Sequence, residues 1–581
     1  MIAQATKRRK KKVHLPQLPD RRYLRLKNRR QWMATIFGSG IRQFDKLQQL
    51  GPSEKGIDPY TGPWTYQEAG HLLRRTTFGP THQMIKDAVT NGLDATIDQL
   101  FAPQPQPPEP VNPYFDNDPQ VPVGESWVDK AWTAGVEDEI YMYRHESLRS
   151  WLTGLVLDEG VSIREKMTLF WHNHFVVADI DEPTALYRYI KLLRSHATGN
   201  FKQLTKDITI DPSMLYYLNG NENIADEPNE NFARELLELF TIGKGPQAGP
   251  GDYTNYTEQD VVALAKVFTG WHIENEFSFD PNYVLGVSFS PDDHDNSTKQ
   301  LSARFNNATI PPNGSEEYKD AIDIIFQQPE VARFIVRKLY RWFVYYDITA
   351  TTEMNVIEPL AQMLIANNYE IAPVLKTLLK SEHFFDTLSM GCMIKSPADF
   401  IYSAVKQFDL IRPVQMKDIH YWNLEIFYIT AYIGQEILSP PSVSGWKAYY
   451  QAPGYYRWWL NSVNLTVRGQ ITAGVIFGYM VDNLLFKTVV LDYLQAVVDN
   501  PADPNAVVND FAKALLPMPL TQSQKDFLKS ILIPGLPDFE WTVEYNNYLN
   551  NPGDPAIVMS LEEKIQNLLY FITILPEYHL S

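Results

Sequence analysis

Residues 331–346, VARFIVRKLYRWFVYY, decide the fold class of this 581-residue chain. Apolar side chains recur there every three or four residues, which is the period of an amphipathic α-helix. Residues 148–155, 186–193 and 261–268 repeat the spacing, and strand-like alternation is scarce. The sequence therefore predicts a mainly α protein, a large multi-helix domain with long loops and no sheet larger than a hairpin or two. The apolar stripe consists of Val331, Phe334, Ile335, Leu339, Trp342, Phe343 and Tyr346.

The composition excludes several classes of protein. With 44% apolar and 21% charged residues, the chain is globular and not disordered. Its one cysteine, Cys392, excludes an intramolecular disulfide and any multi-cysteine metal site. No uncharged apolar run reaches the roughly 20 residues that a membrane helix needs, so no transmembrane segment is predicted. The sequence also lacks the motifs of zincins, serine hydrolases and P-loop proteins.

The charge is distributed unevenly. Residues 1–30 hold twelve lysines and arginines and one acidic residue, whereas the rest of the chain carries a net charge of −28. An acidic body repels nucleic acid, so we expect no specific nucleic-acid binding, and only the basic arm would touch an anionic surface. Arg29 and Arg30 precede a short apolar run, which has the outline of a twin-arginine export signal. The predicted location is the cell envelope or outside the cell, with the cytoplasm as the alternative.

Breaks in the helical pattern divide the chain into segments. Eight prolines between Pro103 and Pro122 mark an extended linker. The predicted segments are a basic N-terminal arm at 1–59, a small helical unit at 60–101, the Pro-rich linker at 102–125, the main helical domain at 126–470 and a helical C-terminal extension at 471–581.

Two histidines in FWHNHF, residues 170–175, are candidate metal ligands or general bases. On a continuous helix His172 lies about 200° from His174, so the two imidazoles cannot bind the same ion. If the chain is extended there, both rings point the same way and can do so. The alternative is a structural role, with His174 in the core and His172 at the surface.

A polar stripe lies beside an apolar one in NENFARELLELF, residues 229–240. In a carboxylate-lined cleft, Arg234 would clamp an anion and Glu235 would be the carboxylate partner of a catalytic histidine. The alternative is a solvated face on which Arg234 pairs with Glu238. In a structural role, Glu235 would neutralise a nearby arginine in a buried pair.

The segment DDHDN, residues 292–296, lies with Lys299 in a long polar loop. His294 is a candidate catalytic residue, and Asp295 is a candidate metal ligand together with His172 and His174. Oxygen ligands suit Ca²⁺, but the glycine and the bidentate glutamate of an EF-hand loop are missing. The alternative is a helix cap or a turn.

Five motifs follow one another between residues 64 and 470. They are HLLRRTTFG at 71–79, FWHNHF at 170–175, NFARELLELF at 231–240, YTEQDV at 256–261 and PPSVSGW at 440–446. In order and spacing they resemble the motifs of the bacterial domain of unknown function 1800 family. The resemblance implies a mainly helical fold and frequent export, and it supplies no activity. Because genes of that family commonly neighbour those of the sulfatase-like domain of unknown function 1501 family, it also implies a possible protein partner of that kind.

Two classes of function fit these observations. In the first, Arg234, Glu235, His172 or His174, and His294 share one pocket of a metal-assisted hydrolase that acts on an envelope or polysaccharide substrate. A divalent metal ion would be its cofactor. In the second, the clusters form a buried polar network in a helical scaffold that binds a protein partner. We favour the second, because no cluster shows an unambiguous set of metal ligands.

Overall fold

Helices dominate the computed structural model, which describes residues 53–250, 252–282 and 284–581. The prediction of a mainly α fold is confirmed. The basic stretch of residues 1–30, with its paired arginines, lies outside the described residues. Within the part of the chain that the structure describes, no helix has the length and apolar character needed to cross a membrane.

Two stretches of the helical chain form wider π turns. The π turns are Leu236–Thr241, directly after α9, and Glu353–Ile357, between α13 and α14. The helices are α1 Tyr66–Thr76, α2 His82–Asn91, α3 Leu93–Leu100, α4 Glu137–Asp158, α5 Arg164–His174, α6 Pro183–Ser195, α7 Phe201–Thr209, α8 Pro212–Tyr217, α9 Asn231–Glu235, α10 Glu258–Val267, α11 Glu317–Ile325, α12 Pro329–Phe343, α13 Ala350–Thr352, α14 Glu358–Ala366, α15 Ile371–Leu379, α16 Pro397–Gln407, α17 Met416–Tyr432, α18 Ser462–Phe477, α19 Val490–Val497, α20 Pro504–Leu515, α21 Gln522–Leu532, α22 Asp538–Asn550 and α23 Pro555–Thr573.

Strands are few and short. Each pairs with its neighbour in sequence as an antiparallel hairpin; in the longest pair, Trp271 lies opposite Phe289. Among the described residues no sheet has more than two strands, as the sequence predicted. The strands are β1 Gln247–Gly249, β2 Asp252–Tyr253, β3 Trp271–Glu274, β4 Gly286–Phe289, β5 Lys299–Gln300, β6 Thr309–Ile310, β7 Tyr479–Val481 and β8 Leu484–Phe486.

The stripe of residues 331–346 forms α12. A proline in the first turn starts the helix, and the stripe side chains Val331 and Ile335 are fully buried. The helix ends at Phe343, so the predicted stripe is three residues too long. At that end the Tyr340 carbonyl accepts hydrogen bonds from the Val344 N–H at 2.8 Å and from the Tyr345 N–H at 3.3 Å.

The motif YTEQDV forms the start of α10. Thr257 and Asp260 make a capping box, in which the Asp260 carboxylate accepts hydrogen bonds from the Thr257 N–H at 2.8 Å and from the Thr257 hydroxyl at 2.9 Å. Asp260 is fully buried, and its carboxylate also accepts hydrogen bonds from Ser302 N and Oγ, both at 2.7 Å. One carboxylate thus ties a helix start to a loop 42 residues away.

One hydrophobic cluster of buried side chains extends from Tyr66 to Tyr578. The Pro-rich linker contains no helix, and its Asn112 side chain is buried, where Nδ2 donates to the carbonyls of Phe115 and Val121, each at 2.8 Å. The division of the chain into five segments stays a prediction, whereas the buried cluster spans the segments from 60 onward.

Candidate functional site

Helix α5 carries both candidate histidines. It runs without a break from Arg164 to His174, so the imidazoles of His172 and His174 point to different sides. Both are buried, with 1% of His172 and 2% of His174 exposed. The expectation that His172 lies at the surface is wrong, because Leu438 and Trp446 cover that side of the helix.

The hydrogen bonds of His172 define its tautomer. Its Nε2 accepts from the Leu438 N–H at 3.1 Å, so Nδ1 carries the proton and donates to Tyr189 Oη at 2.9 Å. The tyrosine hydroxyl in turn donates to the Phe175 carbonyl at 2.6 Å. Burial lowers the pKa of His172 to about 3. A metal ion or a substrate proton would have to displace the Leu438 N–H from the ring's lone pair, so this geometry suits a neutral structural histidine.

His174 is held in the same manner by other groups. Its Nε2–H donates to the Phe240 carbonyl at 2.9 Å, and its Nδ1 accepts from Lys338 Nζ at 3.0 Å. Lys338 also donates to the Leu239 carbonyl at 2.8 Å. Burial and the nearby Lys338 lower the pKa of His174 well below its usual range. Burial, followed by the charge of Arg341, lowers the pKa of Lys338 to about 7.

Arg234 has other partners than the sequence predicted. Its guanidinium binds Glu258 with two hydrogen bonds of 2.8 and 2.7 Å and Glu230 with one of 2.9 Å. The expected pair with Glu238 is not formed. The helix widens to a π turn at Leu236–Thr241, directly after Arg234 and Glu235, and this turn carries Glu238 away from the face on which Arg234 lies.

Glu235 and Glu238 differ in their surroundings. The Glu238 carboxylate accepts from Lys244 Nζ at 3.0 Å and from Tyr256 Oη at 3.1 Å. Glu235 is half-buried and forms no hydrogen bond or ion pair with a side chain of the described residues, so the expected pair with an arginine is absent there. Burial, followed by the charge of Glu238, raises the pKa of Glu235.

His294 belongs to a separate, fully buried ionic network. Its Nδ1 faces the Thr269 carbonyl at 3.0 Å, and its Nε2 faces Glu317 Oε2 at 3.1 Å. Glu317 also forms an ion pair with Lys299, and both of these side chains have an exposure of 0%. A charged group this deep is stable only with partners, and each member of the network supplies one.

Asp295 has the turn role that was the alternative to metal binding. Its Oδ1 accepts from Ser297 N at 2.8 Å and from Ser297 Oγ at 2.5 Å. Its backbone carbonyl accepts a hydrogen bond from Lys299 Nζ, which connects the turn to the network of His294.

Two important residues, Lys338 and Glu317, were missed in the sequence, whereas Lys299 was already grouped there with His294 and Asp295. Lys338 follows Ile335 by three residues and precedes Trp342 by four, so its place on the apolar face of α12 was a usable signal. Nothing in the local pattern of Glu317 distinguishes it from an exposed residue, because its partners come from other segments.

The motif PPSVSGW packs directly on FWHNHF. Asn173 Oδ1 accepts from the Trp446 N–H at 3.0 Å. Gly445 has a φ of +81°, and a Cβ built there would lie 2.2 Å from Asn173 Oδ1. Only glycine fits this close approach, so the loop and the helix end are matched to each other.

The predicted site residues are not linked to each other. Arg234, Glu235, His172, His174 and His294 share no hydrogen-bond partner within the described ranges, although His174 reaches the backbone of the segment that carries Arg234 and Glu235. Among the residues that the structure describes, no three His, Cys, Asp or Glu side chains are grouped so that they could hold a metal ion. The proposed ligands His172, His174 and Asp295 are therefore not gathered into one set.

Comparison with known proteins identifies the family of this chain. Neither a curated protein nor a solved structure matches the chain. A family model described as "Protein of unknown function (DUF1800)" matches residues 71–580. That range begins at the first of the five motifs and includes all the helices that carry the buried polar contacts described above. Because the match covers most of its length, the chain belongs to the DUF1800 family.

Proposed function

We propose that this chain is a structural and interaction component of the bacterial cell envelope, a helical scaffold whose motif residues form a buried polar network. One observation carries the proposal: the lone pairs of both motif histidines are occupied by N–H donors of the chain itself. A histidine that serves as a metal ligand or a general base needs a free lone pair, and the lone pairs of these two accept structural hydrogen bonds.

Contacts between motifs support the network. FWHNHF binds PPSVSGW through Asn173, and it binds NFARELLELF through His174 and the Phe240 carbonyl. NFARELLELF binds YTEQDV through Arg234 and Glu258. HLLRRTTFG meets helix α5 where Lys166 Nζ lies 4.6 Å from the centre of the Phe78 ring. Three groups of contacts thus connect four motifs, and the fourth joins HLLRRTTFG to the helix that carries FWHNHF, as expected of residues that fix a fold.

A matched pair of variants tests the scaffold. His174→Gln removes the bridge between Phe240 and Lys338, and we expect it to lower the melting temperature by several degrees. His196→Gln is the control, since it makes the same change at a partly exposed histidine beside Asp207. Metal analysis of the same purified samples supplies the opposing outcome: stoichiometric metal in the wild type that is lost in His174→Gln would overturn the proposal.

The interaction role rests on the family resemblance and on the charge distribution. A basic stretch at residues 1–30 and an acidic remainder suit contact with an anionic surface. The partner we propose is a sulfatase-like domain of unknown function 1501 protein. Co-purification of the tagged chain with the product of a neighbouring gene of that family tests it. Separate elution of the two proteins after co-expression would count against the partner and leave the scaffold proposal standing.

A second candidate function, metal-assisted hydrolysis of an envelope or polysaccharide substrate, is favoured by Glu235. This half-buried carboxylate has a raised pKa and no cationic partner among the described side chains, and it lies where α9 meets a π turn. Such π turns are frequent at functional sites. In this alternative, Glu235 is a general base and the adjacent Arg234 binds an anionic group of the substrate.

Glu235→Gln separates the two functions. The variant keeps the shape of the side chain and removes a charge that lies close to Glu238. In the scaffold, we expect a melting temperature within about 1 °C of the wild type or slightly above it, because no ion pair is lost. In the hydrolase, release of reducing sugar from purified envelope polysaccharide would be present in the wild type and collapse in the variant.

A further inference from the structure

A cleft of about 390 Å³ lies between the start of α1 and the segment that joins α20 to α21. This volume falls within the roughly 300–1,000 Å³ of small-molecule sites. Its apolar lining residues include Tyr66, Leu516, Pro517, Met518 and Leu520. None of the candidate residues discussed above lines it.

Arg74 supplies a buried cation to this cleft. Only 6% of the residue is exposed, and its Nη2 donates to the carbonyls of Lys513 at 3.3 Å and Ala514 at 3.0 Å. Its Nε has no hydrogen-bond partner, and no carboxylate of the described residues forms an ion pair with it. Among the described residues no counter-charge faces this guanidinium, and an anion in the cleft would supply one.

Two lysines extend the positive charge to the rim. Lys513 Nζ lies 4.7 Å from the centre of the Tyr66 ring, and Lys525 lines the cleft on α21. Neither forms an ion pair with an acidic side chain in the described part of the chain. The acidic lining residue is Asp510, and its carboxylate accepts a hydrogen bond from the Asp499 N–H at 3.1 Å. Among the lining residues that the structure describes, cations therefore outnumber carboxylates by three to one.

We propose that this cleft binds a small organic anion with an apolar body, its acidic group toward Arg74 and Lys513 and its hydrocarbon along Leu516 and Met518. The anion is a carboxylate of medium chain length or a molecule of equivalent chemistry. Arg74 belongs to the motif HLLRRTTFG, but none of the contacts that connect the motifs and none of the residues of the hydrolase alternative takes part in this binding site.

Calorimetric titration of the full chain with sodium decanoate, below its critical micelle concentration, tests the proposal. We expect saturable binding of one decanoate per chain. The double variant Lys513→Gln/Lys525→Gln should weaken binding about fivefold or more, because it removes two charge-assisted contacts at the rim. Lys417→Gln on α17 is the matched control, an exposed lysine outside the cleft, and it should bind like the wild type.

Decan-1-ol distinguishes an anion site from a merely apolar one. The alcohol has the same chain and no charge, so we expect the wild type to bind it at least fivefold more weakly than decanoate. The double variant should bind the alcohol with the same affinity as the wild type does. Binding of decanoate that is unaffected by the rim substitutions, equal affinity for the alcohol, or no binding of decanoate would each overturn the proposal. Because the rim lysines lie at the edge of the cleft, thermal unfolding of each variant is expected to match the wild type.

Discussion

Single hydrogen bonds decide the chemistry of the motif histidines. The Leu438 N–H that faces His172 Nε2 would face a second N–H if the ring were protonated, so the charged form loses a bond as well as its hydration. His172 therefore stays neutral in the folded chain far below the pH at which a solvated imidazole takes up a proton, in agreement with its lowered pKa of about 3.

The first prediction follows from that difference in pKa. Below about pH 6.5 the unfolded chain protonates residue 172 and the folded chain does not, so this residue costs stability as the pH falls toward 3. His172→Gln destabilises the protein at pH 7.5 but escapes this cost, so its deficit in unfolding free energy should be about 2 kcal/mol smaller at pH 5. Urea unfolding at the two pH values measures it. An equal deficit at both would mean that His172 titrates as a solvated histidine.

The second prediction concerns the buried carboxylate Glu317. Glu317→Gln leaves the Lys299 ammonium without its counter-charge in a site with no exposure, at a cost of roughly 3–5 kcal/mol. Glu316→Gln is the control, since its partner Lys319 is at the surface and the loss should be below about 1 kcal/mol. Urea unfolding at pH 7.5 compares them. If both variants lost the same small amount, the network of Lys299 would not be a buried one.

At the scale of elements, the π turn at Leu236–Thr241 shapes the candidate site. Its end is fixed by Gly243, whose N–H bonds the Leu237 carbonyl at 2.9 Å. Gly243 has a φ of +72°, and a Cβ built there would lie 2.9 Å from the Phe334 ring. Backbone conformation and packing thus both require glycine at this position.

The third prediction is that Gly243→Ala destabilises the protein by about 1–3 kcal/mol, through strain at positive φ and the clash with Phe334. Gly249→Ala is matched to it, because a Cβ at Gly249 meets its nearest atom at an ordinary 3.9 Å. That variant should be neutral to within about 0.5 kcal/mol. Thermal unfolding of the two proteins makes the comparison, and similar losses in both would contradict the assignment of strain to Gly243.

The apolar periodicity of the sequence predicted the helices, but it predicted neither the π turn nor the burial of His172. The stripe of α12 was visible in the sequence because each apolar residue repeats with the helical turn. The π turn was not, since one extra residue per turn leaves no mark in a pattern of apolar positions. His172 was misplaced at the surface because a helix pattern records one face, and the loop that buries the other face comes from residues more than 260 positions away.

At the scale of the whole molecule, distant segments share one core. Arg74 on α1 donates to the carbonyls at the end of α20, and the hydrophobic cluster includes side chains of α23. Such contacts leave no signature in a local sequence pattern. The segment boundaries could therefore be proposed from composition, whereas the hydrophobic core that the segments share could not. The candidate residues could be chosen from the sequence by type and spacing, but most of their hydrogen-bond partners could not, because those partners are set by tertiary contacts.

The fourth prediction is that the chain unfolds in one transition. The helices after residue 470 share a hydrophobic core with the preceding helices. Unfolding of either part would therefore expose buried apolar side chains of the other. Far-UV circular dichroism and tryptophan fluorescence should give the same melting midpoint, since fully buried tryptophans lie at positions 127, 171, 422 and 541. An early fluorescence change that is absent from Trp541→Phe would show that the C-terminal helices unfold by themselves.

The link between His174 and Lys338 has a consequence for inheritance. The lysine donates to the imidazole and to the Leu239 carbonyl, so a change at either position leaves buried polar atoms without a partner. A lineage that replaces His174 must therefore replace Lys338 with an apolar residue in the same period, or pass through a destabilised intermediate. Among descendants of a common ancestor, positions 174 and 338 should therefore either both change or both stay the same.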